Sequence, residues 1–340
     1  MKRNSDQPAF ASLALLAFLA VPSFAEEPRP LKCDPAKVLG YEACAKCHQP
    51  EITQWQATPH FQTFDTLHRT PEAKAIAQRL GLRSVKRNDT CVKCHYTRQQ
   101  NDATRGRLRV VSGVSCESCH GAAADWVNLH ADYGGAGVTA ATESPEHKQQ
   151  RRQASIAAGM NNPSNLYLIA RQCLACHTTP EEELVNVGGH NAGSAGFELV
   201  AWSQGKVRHN WQRTGGVQNA PSSLERVRVM FVVGTMADLE ASLRAVAKAT
   251  SAGTFGKTAA ARAARAKQQL WAIQRLVDQP PLGEALDAVA TVELRLGNRE
   301  AITAAADAIG AAAMKLSEEL TGAELAALDV LLPRPDTYKY

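Results

Sequence analysis

Residues 44–48 read Cys-Ala-Lys-Cys-His, and the same C-x-x-C-H spacing returns at residues 91–95, 116–120 and 173–177. Two thiols three residues apart lie on the same side of a helical turn. Both can then reach the vinyl groups at one edge of a haem, and the histidine that follows can bind its iron. The motif predicts four covalently bound haem c groups, with thioether bonds to Cys44, Cys47, Cys91, Cys94, Cys116, Cys119, Cys173 and Cys176, and with His48, His95, His120 and His177 as proximal ligands.

Two other uses of paired cysteines compete with this interpretation. Cys91/Cys94 and Cys116/Cys119 have the spacing of a zinc-ribbon ladder. Redox-active C-x-x-C disulfides are a second alternative. Neither alternative explains why every pair is followed directly by histidine, so we favour haem attachment.

Six further histidines could bind the far side of the irons, namely His60, His68, His130, His147, His190 and His209. Four haems need at most four distal ligands, so at least two of these histidines have another role. Methionine also binds haem iron. The chain has only five methionines, and one of them is Met1.

The sequence resembles the tetrahaem cytochrome c family of the cytochrome c-554 type, from residue 38 to about residue 215. The resemblance rests on the four motifs, with the middle two close together, and on three shorter features. These features are Gln54-Trp55 followed by Thr58-Pro59-His60, Cys119-His120-Gly121, and His130 shortly after it. In that family the haems form stacked pairs, and distal ligands cross over between motifs.

Carried over residue by residue, the resemblance implies axial pairs His48–His130 and His120–His60. It also implies that a later histidine is the distal ligand of the haem on His177, and we choose His209 over His190. It also implies a five-coordinate second haem on His95 with an open distal face. His68 is a secondary candidate to close that face.

Several of these histidines also have a simpler interpretation. His60 and His130 could be ordinary core side chains, since apolar residues lie beside both. His147 stands in a polar run, residues 147–152, typical of a solvated helix face. Cys33 fits no haem motif and no lipoprotein cleavage site, so we interpret it as a free or intermolecularly paired thiol.

The N-terminus predicts export. Lys2 and Arg3 precede an apolar run from Phe10 to Val21, and small residues follow up to Ala25, the pattern of a cleaved signal peptide. The run is shorter than the roughly 20 residues of a membrane-spanning helix. No later segment predicts a transmembrane helix. We therefore expect a periplasmic protein.

Composition predicts a folded chain, and the scarcity of strand-like alternation together with apolar residues at helical spacing predicts a mainly α class. Hydrophobic residues make up 44% and charged residues 21%, enough to bury a core. The formal net charge is +5 without a basic stripe, so nucleic acid is not an expected partner. Short helices and loops should wrap around the haems, and a C-terminal antiparallel helical bundle should follow. The predicted division is a signal peptide (1–25), a tetrahaem domain (26–220), the bundle (221–332) and a tail (333–340).

The predicted helices of the C-terminal part begin near residues 222–225 and continue at 259–277, 282–296, 299–316 and 323–331. Residues 253–258 echo a phosphate-binding loop but lack its first glycine, so an interhelical loop is preferred. Arg262, Arg265 and Lys267 should form a solvated helix face.

The leading functional hypothesis is a periplasmic electron carrier between redox partners, such as a quinol oxidase or a multihaem enzyme. The alternative is a small oxidoreductase that acts on a nitrogen oxide, hydroxylamine or peroxide at an open haem on His95; no catalytic side chain is identified for it. A third hypothesis is a docking subunit that binds its partner through the C-terminal bundle.

Overall fold

The computed structural model describes residues 33–340, so the predicted signal peptide lies outside the described residues. The described chain is mainly helical, which confirms the predicted fold class at that level. Its α-helices are α1 (Ala45–Gln56), α2 (Pro59–Thr66), α3 (Pro71–Arg79), α4 (Asp89–His95), α5 (Cys116–His120), α6 (Pro145–Ala157), α7 (Leu166–His177), α8 (Glu182–Asn186), α9 (Leu199–Ser203), α10 (Leu224–Lys248), α11 (Thr254–Leu276), α12 (Pro280–Ala290) and α13 (Arg299–Glu319). Two short strands are β1 (Thr97–Gln99) and β2 (Arg109–Ser112).

Each C-x-x-C-H motif lies on a helical turn. The helices α4, α5 and α7 end at the histidine of their motif. In α1 the motif histidine, His48, departs from helical geometry (φ −116°, ψ 33°), and Pro50 follows two residues later. A proline inside a helix cannot donate the backbone hydrogen bond and clashes with the preceding turn, which accounts for the kink.

A two-stranded antiparallel sheet joins the second and third motifs. Strand β1 begins two residues after His95, and Thr97 faces Ser112 of β2. The hydroxyl of Thr97 donates to the carbonyl oxygen of Gly113 at 2.8 Å and lies 2.7 Å from the hydroxyl of Ser118, inside the third motif. These hydroxyl contacts therefore connect the segment after the second motif to the third motif.

The C-terminal helices α10 to α13 surround one large apolar core. Helix α10 lies at its centre, and every residue from Val227 to Ala237 is buried. Ser223 caps the helix, since its hydroxyl accepts a hydrogen bond from the backbone N–H of Arg226. The helix start expected at residues 222–225 is therefore confirmed.

The limits of the other C-terminal helices differ from the sequence expectation. Helix α11 begins at Thr254, so residues 254–258 are its first turns and not a loop. The side chain of Asn186, on α8, accepts from the backbone N–H of Phe255 at 3.0 Å, and Phe255 is fully buried. A cap supplied by another helix leaves no local sequence signal. Residues 323–331 form 3-10 turns.

The same core continues across residue 221. Leu166, Tyr167, Ala170 and Leu174 of α7 are buried in it together with the side chains of α10. Because α7 carries the fourth motif, the C-terminal helices form part of the support of that motif. In residues 33–340, no helix is both long and apolar enough to cross a membrane.

Candidate functional site

Each of the four motif histidines has a second histidine ring opposite it at nearly the same separation. The ring centres are 6.1 Å apart for one pair and 6.2 Å apart for the other three, and the pairs are His48–His130, His60–His177, His95–His190 and His120–His209. The two rings of each pair come from distant parts of the chain.

A separation of this size fits a metal ion between two imidazoles. A metal–imidazole bond is about 2 Å long. Two such bonds, with the distance from each ring centre to its nitrogen added, give about 6 Å between ring centres. Direct ring stacking would allow a closer approach, as the 4.5 Å between His177 and Phe197 shows. The ring pairs therefore fit the two axial ligands of a haem iron.

The pairing differs from the sequence expectation for three motifs. His48 faces His130, as the resemblance implied, but the expected pairs His120–His60 and His177–His209 are wrong as ring placements. His60 faces His177, and His209 faces His120. The resemblance implied an open face at His95, whereas the ring of His190 lies opposite that histidine.

Long-range hydrogen bonds explain where His209 lies. The segment after α9 runs along α1, where the side chain of Gln54 donates to the carbonyl oxygen of Lys206 at 3.1 Å. The Gln212 side chain likewise donates to the carbonyl oxygen of Cys47 at 3.2 Å. These bonds hold His209 near the first and third motifs, away from His177.

His190 is held by a turn that reaches back to α3. The guanidinium of Arg79 donates to the carbonyl oxygen of Gly188 at 2.8 Å. Gly189 adopts a φ of +70°, and an added Cβ there would lie 3.0 Å from Arg79, so glycine suits this position. The Gly188-Gly189 turn therefore helps to place the His190 ring opposite His95 of the second motif.

In five rings the Nδ1 atom already contacts an acceptor. The contacts are His120 to the carbonyl of Asn161 (3.3 Å), His130 to that of Val127 (2.6 Å), His177 to the hydroxyl of Ser194 (2.7 Å), His190 to the carbonyl of Asn191 (2.9 Å) and His209 to that of Val207 (2.7 Å). A proton on Nδ1 leaves Nε2 free as a ligand. Metal-binding histidines commonly have such a second partner.

Burial favours the neutral imidazoles that metal binding requires. It lowers the pKa of His95 to about 4, with a further contribution from His190. The pKa of His120 falls to about 4 through burial and then through His209. The pKa of His177 falls to about 4 through burial, then His60, then the charge of Arg262.

The thiols of different motifs lie in pairs. Cys44 and Cys116 are close enough to hydrogen-bond with each other, and so are Cys94 and Cys176. The attachment points of the first and third motifs are thus adjacent, as are those of the second and fourth. In the described residues, no three His, Cys, Asp or Glu side chains converge on one metal position, so a zinc ribbon has no ligand set there.

Buried donors near the ring pairs lack acceptors within the described part of the chain. They include the indole N–H groups of Trp126 and Trp211, Nε of Arg208 and Nη2 of Arg262. Unpaired buried donors are costly. Haem carries two propionate carboxylates, which are acceptors, so these donors fit the group that the ring pairs imply.

Comparison with known proteins agrees with this site. Residues 43–121 match the family described as cytochrome c554 and c-prime. The chain is similar to multihaem cytochromes of the cytochrome c-554 type. It is 24% identical over 147 residues to cytochrome c-554 of Nitrosomonas europaea, an alignment that covers 42% of this chain and 58% of that protein. The chain therefore spans little more than half the length of this relative. No solved structure matches the chain.

One carboxylate of the chain was missed by sequence reasoning because it lies inside a motif. Glu117, between Cys116 and Cys119, is 1% exposed. Its oxygens accept hydrogen bonds from the backbone N–H groups of Leu39, Gly40 and Ala123, each at 2.9 Å. It joins the segment before the first motif to the third motif. The variable positions of C-x-x-C-H carry no signal for such a role.

A second missed group anchors His130. The guanidinium of Arg151 donates to the carbonyl oxygen of His130 at 2.6 Å and binds both carboxylate oxygens of Glu143, at 2.7 and 2.6 Å. His147 contacts the same carboxylate through Nδ1 at 2.7 Å. The expectation of a solvated face for residues 147–152 is therefore wrong at His147 and Arg151.

The remaining candidates lie apart from the ring pairs. His68 faces none of the four motif histidines, and its Nδ1 is buried without a partner among the described residues. Cys33 is a free thiol, and burial, followed by the charge of Glu117, raises its pKa to about 12. A thiol with so high a pKa is a poor nucleophile at neutral pH.

Proposed function

We propose that the protein is a periplasmic electron carrier with four haem c groups, each bound to its iron through two histidines. The observation that carries the proposal is the common separation of 6.1–6.2 Å in four ring pairs, each with one ring from a C-x-x-C-H motif. The thioether bonds would come from the eight motif cysteines. The proximal ligands would be His48, His95, His120 and His177, and the distal ligands His130, His190, His209 and His60, in that order.

When bound, haem c supplies a one-electron iron couple, and the protein sets its properties through ligands, burial and hydrogen bonds. With two imidazoles bound, each iron would have no position left for a substrate. The alternative function, reduction or oxidation of a nitrogen oxide, hydroxylamine or peroxide, needs an open position beside His95. His190 lies there, so the geometry favours electron transfer.

The arrangement of the motifs supports a continuous path. The close thiols pair the first motif with the third and the second with the fourth. The side chain of Gln172, on α7, donates to the carbonyl oxygen of Ser118 at 2.6 Å, which joins the third motif to the fourth. Haems held by these motifs would follow one another in the order first, third, fourth and second, and would supply a path for electrons in that order or the reverse.

The partners would be other redox proteins, among them a quinol oxidase or a multihaem enzyme. Beside the second motif, a cavity of about 630 Å³ is lined by Lys74, Arg83, Lys86 and Arg87. None of these four cations forms an ion pair with another described residue. A partner with an acidic surface suits this end of the path, because opposite charges speed encounter.

The domain scheme belongs to the same proposal. Residues 1–25 would direct export, residues 26–220 would wrap around the haems, and residues 221–332 would form a helical bundle, before a short tail at 333–340. The core shared by α7 and α10 supports a structural role for that bundle, as a support of the fourth haem.

The first experiment counts the haems. The protein expressed with a cytochrome c maturation system should contain four covalent haems per chain, measured by the pyridine haemochrome assay and intact mass. Cys94→Ala/His95→Ala should remove one haem. Cys33→Ala is the matched control and should retain four. A count below four in the unaltered protein would contradict the proposal.

A further inference from the structure

The C-terminal helices place a charge pair with a buried arginine against the fourth motif. Arg262, on α11, is 9% exposed, so the expected solvated face is wrong at this residue. Its Nε donates to the carboxylate of Asp238, on α10, at 2.5 Å. Its Nη1 donates to the carbonyl oxygen of His177 at 3.2 Å.

The pair is built into the fold. The Asp238 carboxylate also accepts a hydrogen bond from the hydroxyl of Ser242 at 3.2 Å. The carbonyl of His177 accepts a second hydrogen bond, from the backbone N–H of Ser194, at 2.8 Å. Gly193 leaves room for the guanidinium, since an added Cβ there would lie 3.1 Å from Nη1 of Arg262. The helices α10 and α11 thus place an ion pair beside the fourth motif, and the cation of that pair donates a hydrogen bond to the backbone of His177.

Charges beside a histidine ligand would change the affinity of the haem iron for an electron. A cation stabilises the reduced iron, which carries one positive charge fewer, and an anion stabilises the oxidised iron. In a partly buried setting such interactions are screened less than at the surface. Groups that contact a metal ligand without binding the metal change the potential of that metal.

We propose that Arg262 and Asp238 set the reduction potential of the haem on His177, as residues that tune this haem without binding its iron. This inference rests on the proposed function, because it needs a haem on the fourth motif. It assigns to the C-terminal helices an electrostatic role in addition to a structural one.

The experiment is a spectroelectrochemical titration of the four-haem protein and three variants. Arg262→Gln should lower the potential of one haem, and Asp238→Asn should raise it. We expect the reduced-to-oxidised ratio of that haem, at fixed applied potential, to change by about threefold to tenfold in opposite directions. A tenfold change corresponds to about 59 mV for a one-electron couple. Arg262→Lys should retain most of the original potential.

The matched control is Arg265→Gln, which removes the same charge from the exposed side of the same helix. It should shift each of the four potentials by less than Arg262→Gln shifts the potential of its haem, because solvent screens an exposed charge. Shifts of the same sign in Arg262→Gln and Asp238→Asn, or unchanged potentials in both, would overturn the inference. A haem count below four in the unaltered protein would instead overturn the proposed function. The two failures are therefore distinguishable.

Discussion

Replacing His190 by alanine is expected to open one of the four proposed haem irons. The His190 ring lies 6.2 Å from the ring of His95, centre to centre, and no other histidine ring in the described chain forms a pair with His95. Without it, the second haem should become five-coordinate. The ferric protein should then show one high-spin haem by electron paramagnetic resonance, and the reduced protein should bind one equivalent of carbon monoxide.

His68→Ala is the matched control for this variant. His68 was the sequence-based candidate for the same position, yet its ring faces no motif histidine. The control should remain low-spin and should not bind carbon monoxide. If His68→Ala binds carbon monoxide and His190→Ala does not, the ring placement at the second motif is incorrect.

Replacing Glu117 by alanine is expected to give the largest loss of stability. The substitution leaves the backbone N–H groups of Leu39, Gly40 and Ala123 without their acceptor, and Glu117 is 1% exposed. A buried donor left unpaired costs about 1–3 kcal/mol. With three such donors, the free energy of unfolding should fall by about 3 kcal/mol or more. Thermal and denaturant unfolding of the haem-loaded protein measure this change.

Two comparisons make the Glu117 prediction specific. Glu117→Gln keeps one carbonyl oxygen as an acceptor and should lose less stability than the alanine variant. Glu72→Ala removes an exposed carboxylate and should change stability by less than about 0.5 kcal/mol. Equal losses in Glu117→Ala and Glu72→Ala would show that the buried hydrogen bonds contribute nothing.

Local patterns predicted the parts of this protein that depend on local geometry. The C-x-x-C-H spacing placed each motif on a helical turn, because the spacing itself has helical period. Ser223 indicated the start of α10, because an N-cap residue bonds to backbone N–H groups of the first turn that follows it. The mainly α class followed in the same way from periodic apolar residues.

The distal histidines could not be assigned in this way. His190 and His209 are brought to their partners by Arg79 and Gln54, residues more than 100 positions away in the chain. The residues that flank a histidine in the sequence do not indicate such a contact. The resemblance implied the pairing of motif and distal histidines that is found in the cytochrome c-554 family. The observed ring pairs agree with that pairing only at His48 and His130.

Buried charges were missed for a related reason. Arg262 stands in a run of basic residues that has the pattern of a solvated face. Its burial depends on Asp238, on the preceding helix, and on the carbonyl of His177. A charged side chain becomes a core residue only through such partners, which the order of residues along one helix does not show.

In the proposed protein, all four irons have two histidine ligands. The most direct measurement is the spin state of the unaltered four-haem protein, by electron paramagnetic resonance of the ferric form and carbon monoxide titration of the reduced form. We expect four low-spin haems and no carbon monoxide adduct. A high-spin ferric signal together with carbon monoxide binding in the unaltered protein would contradict this expectation and would restore the open-haem oxidoreductase.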